Sequence, residues 1–152
     1  MKQTQNLPEI KINELLAEDA ALVEEARAAI TLAYAPYSNF KVGAAVLLEN
    51  GEVIMGANQE NASYPCGICA ERSTIATAQN LYPGVPVVAI ALAAKTPDNT
   101  FTKDYVTPCG MCRQVIAECE KRYKRHVRII MTSETKAIVA DTINAILPLS
   151  FS

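Results

Sequence analysis

The alternation of apolar and polar positions along the chain predicts helices and strands in turn. Apolar side chains recur at the spacing of one helix face where Ala, Leu and Glu are abundant, and short runs rich in Val, Ile and Ala separate these stretches. The predicted helices span residues 13–33, 69–81 and 108–123, with a short helix near 142–147. The predicted strands span residues 42–49, 52–56, 87–94, 127–132 and 136–140.

Three local signals predict how these strands pair. Asn50-Gly51 is typical of a tight hairpin, so the first two strands should be antiparallel. The apolar run 87–94 is typical of a strand that helices cover on both faces of a sheet. Residues 133–135 are too few for a parallel crossover, so the last two strands should also be antiparallel. We therefore predict one α/β domain over residues 1–152, a three-layer α-β-α sandwich around a mixed five-stranded sheet. Residues 1–12 are predicted to form a loose N-terminal arm.

The charge balance disfavours nucleic acid and membrane as partners. The 14 Lys and Arg residues nearly balance the 16 Asp and Glu residues, so no strong field attracts anions. The basic run 121–126 is predicted to be a solvated helix C-terminus rather than a phosphate-binding patch. No apolar stretch approaches membrane-spanning length, and the first residues lack the apolar core of a secretory signal. We expect a small-molecule ligand and a cytoplasmic location.

The five cysteines are the strongest chemical signal in the sequence. Without a secretion signal, metal binding or catalysis is favoured over disulfides. Cys66 with Cys69 and Cys109 with Cys112 form two Cys-x-x-Cys pairs, a spacing that lets two sulfurs reach one metal ion. A four-cysteine structural zinc site is one interpretation. However, the spacer between the pairs holds a predicted helix and strand rather than a short ribbon loop.

A site with three thiolates is the second interpretation. Three protein ligands leave one coordination position for water, which distinguishes catalytic from structural zinc. Glu71 follows Cys69 by two residues, in the first turn of a predicted helix, where a carboxylate could serve as a base beside the metal. A carboxylate also stabilises any helix N-terminus, so the local sequence leaves both roles of Glu71 open.

Two separated motifs carry a resemblance to a known family. The chain contains Cys69-Ala70-Glu71-Arg72 and, later, Pro108-Cys109-Gly110-Met111-Cys112-Arg113-Gln114. Zinc nucleobase deaminases share a His or Cys before x-Glu and a later Pro-Cys-x-x-Cys. The segments 34–38, 58–62 and 147–148 and the residue Phe151 extend the likeness over nearly the whole chain. In these features the chain resembles the small, homotetrameric, zinc-dependent cytidine deaminases.

This resemblance implies a metal site and a reaction. One Zn²⁺ per chain would be held by Cys69, Cys109 and Cys112, which leaves Cys66 outside the metal shell. Zinc-bound hydroxide would attack C4 of cytidine or deoxycytidine, Glu71 would shuttle protons, and ammonia would leave. The products would be uridine and deoxyuridine, and the pathway would be pyrimidine salvage.

The resemblance also gives roles to residues near the motifs. Arg72 and Arg113 would stabilise the thiolates, because three thiolates with one Zn²⁺ carry a net negative charge. An ordinary salt bridge or a solvated surface charge is the alternative for each arginine. Cys119 has no motif role and is predicted to be a small buried thiol on a helix face.

The predicted substrate contacts come from the same resemblance. Asn58 and Glu60 would hold ribose hydroxyls, Phe40 would lie beside the pyrimidine, and the Ala70 N–H would face the base carbonyl or the surroundings of the metal. Phe151 would reach the site of a neighbouring subunit in a homotetramer. Without the resemblance, a polar turn would be the favoured explanation of Asn58 and Glu60 and a core aromatic that of Phe40, and a frayed tail would be the alternative for Phe151.

Three rival functions share part of this pattern. A blasticidin-type deaminase would keep the zinc motifs but less of the Asn58 and Glu60 pattern. A nucleic-acid deaminase would usually place a helix between the fourth and fifth strands, where only a three-residue turn fits. A noncatalytic zinc-binding module would use Cys66 as a ligand and would not need Glu71.

Overall fold

The computed structural model describes residues 7–152, in which three α-helices flank one six-stranded sheet. The helices are α1 (Ala17–Ala29), α2 (Ala70–Leu81) and α3 (Gly110–Tyr123). The strands are β1 (Glu9–Lys11), β2 (Lys41–Leu48), β3 (Val53–Ala57), β4 (Val87–Lys95), β5 (Arg128–Thr132) and β6 (Lys136–Ala140). Single 3-10 turns cover Ile12–Glu14, Ile30–Leu32, Tyr64–Cys66 and Ile143–Ala145.

The sheet has the strand order β1-β6-β5-β4-β2-β3. Strands β4 and β5 pair in parallel, and the other neighbouring strands pair antiparallel. Both predicted antiparallel pairs are confirmed, β2 with β3 across the Asn50-Gly51 turn and β5 with β6 across residues 133–135. Gly51 has a φ of 88°, a conformation that glycine adopts without strain. Helix α3 connects the parallel strands β4 and β5, so its N-terminus lies near the carboxyl end of β4.

The N-terminal region differs from the sequence prediction. Residues 1–6 of the predicted loose arm lie outside the described residues, whereas Glu9–Lys11 pair antiparallel with residues 136–138 at the sheet edge. The Glu9 carboxylate also accepts hydrogen bonds from Lys136 and from the Tyr105 hydroxyl. The sheet therefore has six strands rather than five, and the added strand is too short to produce a periodic signal in the sequence.

Helix ends are the other difference from the prediction. The segment 13–33 forms α1 only from Ala17 to Ala29, with a tight 3-10 turn on either side. The predicted helix near 142–147 is a single 3-10 turn, Ile143–Ala145. The remaining predicted elements differ from the structure only at their end residues. None of the helices in the part of the chain that the structure describes is long and apolar enough to span a bilayer.

Two apolar layers enclose the sheet. One face packs against α2 and α3, through side chains such as Ile75 and Ile116. The other face packs against α1, through Leu22, Val23 and Ala26. The predicted three-layer α-β-α arrangement is confirmed, and α2 and α3 lie on the same face of the sheet.

A glycine in β3 sets the position of α2. A Cβ atom added to Gly56 would lie 2.3 Å from Oγ1 of Thr74 in α2, far inside van der Waals contact. The helix therefore crosses the strand at a distance that only glycine permits. This close contact fixes the helix whose first turn carries Glu71.

Candidate metal centre and active site

The N-termini of α2 and α3 bring three cysteines together. Cys69 is the N-cap of α2, Cys109 is the N-cap of α3, and Cys112 lies in the first turn of α3. The unpaired N–H groups and the dipole at a helix N-terminus favour anions. The two helices thus bring three thiols together at a place where the helix N-termini favour negative charge.

The sulfur geometry fits a tetrahedral metal ion. The Sγ atoms of Cys69 and Cys109 lie 3.8 Å apart, those of Cys109 and Cys112 lie 3.4 Å apart, and all three lie within 4.8 Å of one another. Two sulfurs at about 2.3 Å from one tetrahedral zinc ion are about 3.8 Å apart. The structure therefore brings the three predicted ligands to one point, whereas Cys66 lies exposed in the turn before α2 and outside this group.

The three thiols influence one another electrostatically. Hydrogen bonding from Cys112, assisted by Cys109 and Arg72, lowers the pKa of Cys69 to about 5 although burial opposes it. The pKa of Cys112 is raised, first by its hydrogen bond to Cys69 and then by burial. One thiolate therefore forms easily, but a second beside it is unfavourable unless a cation lies between the sulfurs. This donor set fits a divalent metal ion for that reason.

Arg72 lies next to the cluster, as the predicted thiolate-stabilising role requires. Its charge and a hydrogen bond contribute to the low pKa of Cys69. Its Nη2 atom lies 3.4 Å from the carbonyl oxygen of Gly67, and among the described residues its Nε atom is buried without a partner. A buried cationic donor favours an anion nearby, and the sulfur cluster supplies one.

Arg113 makes different contacts from those predicted. Its guanidinium donates to the carbonyl of Pro108 at 2.8 Å and to the carbonyl of Ile146 at 2.6 Å, and within the described part of the chain it makes no hydrogen bond to a sulfur. Because Pro108 precedes Cys109, the two hydrogen bonds of Arg113 connect the backbone next to Cys109 with the C-terminal segment at Ile146. Sequence proximity to Cys112 could not reveal this, since the direction of the side chain depends on where the C-terminal segment packs.

Glu71 is a buried carboxyl group beside the sulfurs. It lies in the first turn of α2 and is only 5% exposed. Burial raises the pKa of Glu71, and the charge on Cys69 raises it further, although hydrogen bonds from its own backbone and from Cys112 oppose the shift. A carboxyl group with a raised pKa accepts a proton more readily than an ordinary one. Glu71 is therefore a candidate acid–base group that is separate from the three sulfur ligands.

A cleft of about 590 Å³ opens over the cluster, a size that suits a small-molecule ligand. Four residues that the sequence predicted as substrate contacts line the cleft: Phe40, Asn58, Glu60 and Ala70. Ala70 is fully buried, whereas Phe40 is 37% exposed and can contact a ligand. Among residues 7–152, the cationic side chain that lines the cleft is Arg72, which already lies beside Cys69.

Several lining residues had no role in the sequence prediction. They are Tyr37, Ser38, Tyr64, Val106, Thr107 and Met111. Tyr37 and Ser38 fall within the family-like segment 34–38, which was a signal for their importance. Met111 lies between two cysteines of the second motif, whereas Tyr64 is an exposed side chain in a 3-10 turn and nothing in its local sequence distinguishes it from an ordinary surface residue.

The side chain of Asn58 is bound to the backbone at the start of β2. Its Oδ1 accepts from the N–H of Val42 at 2.9 Å, and its Nδ2 donates to the carbonyl of Phe40 at 3.0 Å. An amide group has two N–H donors, so one donor of Asn58 is left for a ligand in the cleft.

The side chain of Glu60 is bound to the loop before β2. Its Oε2 accepts from the N–H groups of Tyr37 at 2.9 Å and Ser38 at 3.2 Å, and its Oε1 accepts from the Ser38 hydroxyl. The Ser38 hydroxyl and these N–H groups lower the pKa of Glu60, so the group is ionised at neutral pH. A carboxylate has about four lone-pair sites, and one is left for a ligand hydroxyl.

Phe151 lies outside the cleft of its own chain. Its side chain is 87% exposed, and its carbonyl accepts a hydrogen bond from Nε2 of Gln114 in α3 at 3.0 Å. The tail is therefore attached to α3 while the aromatic ring faces outward. Contact between Phe151 and a substrate cleft would need a second copy of the chain.

Comparison with known proteins gives a consistent family match. Residues 16–128 match the family model described as "Cytidine and deoxycytidylate deaminase zinc-binding region". This range includes the three clustered cysteines, Glu71 and the lining residues Phe40, Asn58 and Glu60, and it ends before Phe151.

Individual relatives and a solved structure give the same result. A cytidine deaminase of Halalkalibacterium halodurans is 50% identical over 97 residues, which are 64% of this chain and 68% of that protein. A cytidine deaminase of Sporosarcina psychrophila is 38% identical over 133 residues, 86% of this chain and 89% of that protein. The crystal structure of cytidine deaminase from Burkholderia pseudomallei is similar with a TM-score of 0.76 at 37% identity, covering 90% of this chain and 100% of that chain.

Proposed function

The chain belongs to the cytidine and deoxycytidylate deaminase family, and on this premise we propose that it hydrolytically deaminates cytidine and deoxycytidine with one zinc ion per chain. The observation that carries the proposal is the cleft in which three cysteine sulfurs, all within 4.8 Å of one another, lie beside the buried carboxyl group of Glu71. A metal site with an open position and a neighbouring acid–base group is what hydrolysis at C4 requires.

The sulfur ligands prepare the attack by water. Cys69, Cys109 and Cys112 would hold the zinc ion, whose Lewis acidity would lower the pKa of water from about 15.7 to about 7 and so supply a nucleophile near neutral pH. Three thiolates add negative charge that opposes this effect. The helix N-termini at Cys69 and Cys109 and the guanidinium of Arg72 offset that charge.

Glu71 moves the protons. Its carboxylate takes a proton from the attacking water and delivers it to N3 of the pyrimidine. Glu71 then takes the second proton of that water and passes it to the exocyclic amino group as the bond between C4 and that nitrogen breaks. Water and cytidine thus become uridine and ammonia. The raised pKa of Glu71 supports transfer in both directions, and such acid–base assistance contributes about 10²- to 10⁴-fold to the rate.

The other cleft residues hold the nucleoside. Asn58 offers one N–H donor and Glu60 one acceptor site, which suits ribose hydroxyls because each hydroxyl both donates and accepts. Phe40 lies in the lining with an accessible ring and is placed beside the pyrimidine in this proposal. The N–H of Ala70 faces the base carbonyl or the surroundings of the metal.

Assembly and cellular role complete the proposal. We place the enzyme in the cytoplasm, in pyrimidine salvage, as a homotetramer in which Phe151 reaches the cleft of a neighbouring subunit. The exposure of Phe151 outside its own cleft supports a shared site. Sedimentation velocity measures the assembly, and a purely monomeric enzyme with full activity would contradict this part.

A substrate panel tests the reaction itself. Bound zinc and ammonia release are measured for the wild-type protein with cytidine, deoxycytidine, free cytosine, CMP and blasticidin S. We expect release from the two nucleosides, with little from cytosine, which lacks the sugar. We also expect little from CMP, because the described residues that line the cleft offer its phosphate no cation besides Arg72, which lies beside Cys69. Release from blasticidin S alone would indicate a blasticidin-type deaminase. Zinc binding without release from any compound would indicate a noncatalytic zinc module.

A further inference from the structure

The hydroxyl of Ser38 connects two substrate-contacting residues of the cleft. It donates to Oε1 of Glu60 and accepts from the N–H of Phe40 at 3.0 Å. Oε2 of Glu60 accepts from the backbone of the same loop, from Tyr37 and Ser38. The Ser38 hydroxyl thus connects Glu60, which is proposed to bind ribose, to Phe40, which is proposed to lie beside the pyrimidine.

The loop that carries Ser38 is held in an uncommon backbone conformation. Asn39 has a φ of 54°, in the left-handed region that residues with a side chain rarely adopt. Its N–H donates to the carbonyl of Ala35 at 2.9 Å, and Asn58 binds the carbonyl of Phe40 on the other side. Such conformations persist only where surrounding contacts determine them, and they concentrate at ligand sites. The Ser38 hydroxyl is the contact that ties this loop to Glu60 through a side chain.

We propose that Ser38 is a positioning residue that couples recognition of the sugar by Glu60 to the placement of Phe40 against the base; this inference rests on the proposed function. Three of about four lone-pair sites of Glu60 are occupied, and the Ser38 hydroxyl sets the direction of the last one. Without the hydroxyl, Oε1 turns toward water and the Phe40 N–H loses its acceptor, so both substrate contacts loosen together.

The position of these contacts determines which kinetic constant changes. Within the described residues, the hydrogen bonds of Ser38 go to Glu60 and to its own loop, not to Glu71 or the cysteines. Proton transfer and metal binding should therefore be intact when the hydroxyl is removed. We expect KM to change and kcat to be retained.

The test is Ser38→Ala, examined by kinetics and by binding. KM for cytidine should rise about tenfold, the size expected for a lost hydrogen bond to a charged group. Calorimetry with the product uridine, which is not consumed, should show a similar loss of affinity. Binding of 2′,3′-dideoxyuridine should weaken by less than that of uridine, because this compound lacks the hydroxyls that Glu60 contacts and retains only the base that Phe40 contacts. Ser38→Thr retains the hydroxyl and should recover most of the affinity for uridine.

A matched control removes a hydroxyl of the same kind elsewhere. Ser133 donates to the carbonyl of Lys136 at 3.1 Å and accepts from its N–H at 3.2 Å, in the turn between β5 and β6. Ser133→Ala should lower the thermal stability about as much as Ser38→Ala does while leaving KM unchanged. The comparison separates loss of a turn contact from loss of substrate positioning.

The outcomes distinguish this inference from the proposed function. An equal loss for uridine and 2′,3′-dideoxyuridine, an unchanged KM, or a loss confined to kcat would each overturn the role of Ser38. If the wild-type protein binds uridine but releases no ammonia, and Ser38→Ala weakens uridine binding as expected, the proposed reaction is contradicted and the role of Ser38 is supported. A wild-type protein that does not bind uridine would contradict both.

Discussion

Two groups of residues make up the candidate site, and they are built in different ways. The metal side consists of Cys69, Glu71, Cys109 and Cys112. The rim consists of Ser38, Phe40, Asn58 and Glu60. Each residue of the metal side is the N-cap of a helix or lies in its first turn, so local chain geometry places it. The rim is held by hydrogen bonds between the loop before β2 and the segment after β3, which are far apart in sequence.

The carboxyl groups of Glu71 and Glu60 differ in the direction in which their surroundings shift the pKa. Burial raises the pKa of Glu71 on the metal side, whereas hydrogen bonds led by the Ser38 hydroxyl lower the pKa of Glu60 on the rim. One glutamate is therefore prepared to exchange protons, and the other stays ionised as a hydrogen-bond acceptor. Changes on the metal side should abolish turnover, and changes on the rim should weaken binding by degrees.

The largest effect is expected from Cys112→Ala. It removes a fully buried sulfur from the cluster, so two thiolates are left and zinc binding should fall from about one ion per chain to near zero. Activity should disappear with the metal. Elemental analysis together with ammonia release measures both.

Cys66→Ser is the matched control for that variant. Cys66 is exposed and lies outside the sulfur group, so zinc content and activity should equal those of the wild type. Loss of zinc in Cys66→Ser would mean that the four-cysteine structural site is correct and that the three-ligand assignment is wrong.

The second-largest effect on activity is expected from Glu71→Gln. The amide has nearly the shape of the carboxyl group but cannot carry a proton, so kcat should fall by about 10²- to 10⁴-fold. Zinc content should not change, because Glu71 is not among the sulfur ligands. Near-normal turnover in this variant would rule out the proposed proton transfer.

Sequence alone predicted those parts of the fold that local signals encode. The β2–β3 hairpin was predicted from Asn50-Gly51, and helix α2 from a run of helix formers that begins at Cys69. Strand β1 was missed because its three residues pair with β6 more than a hundred residues away, and nothing local marks that pairing. The ends of α1 were wrong because two flanking turns continue the helical spacing of apolar residues.

The same division holds within the cleft. Cysteine spacing left a four-cysteine site and a three-thiolate site open, and the position of Glu71 left its role open; the resemblance to the deaminases selected the metal side. The direction of Arg113 could not be predicted, since it depends on the carbonyl of Ile146 in the C-terminal segment. The role of Ser38 also depends on tertiary structure, because Glu60 reaches it only when β2 and β3 pair.

A smaller effect is expected on the rim from Glu60→Gln. The variant keeps the size of the side chain but replaces the charged carboxylate, which accepts a hydrogen bond from a ribose hydroxyl, with a neutral amide. KM for cytidine should therefore rise about 10- to 100-fold. Zinc content and kcat should change little. Glu49→Gln is a suitable control, since Glu49 is an exposed carboxylate paired with Arg125. A fall in kcat with unchanged KM would contradict the division between rim and metal side.

The smallest effect is expected from removing residues 149–152. The fold should survive, because Leu149 and Phe151 are exposed and the tail makes one described hydrogen bond to α3, from Gln114. If Phe151 of one subunit reaches the cleft of another, the truncation should raise KM by a few-fold, about the worth of one aromatic contact. Phe151→Ala should reproduce this rise and Leu149→Ala should not, which separates a specific aromatic contact from general loss of the tail. Unchanged kinetics in the truncated enzyme would mean that the metal side and the rim of a single chain form a complete site.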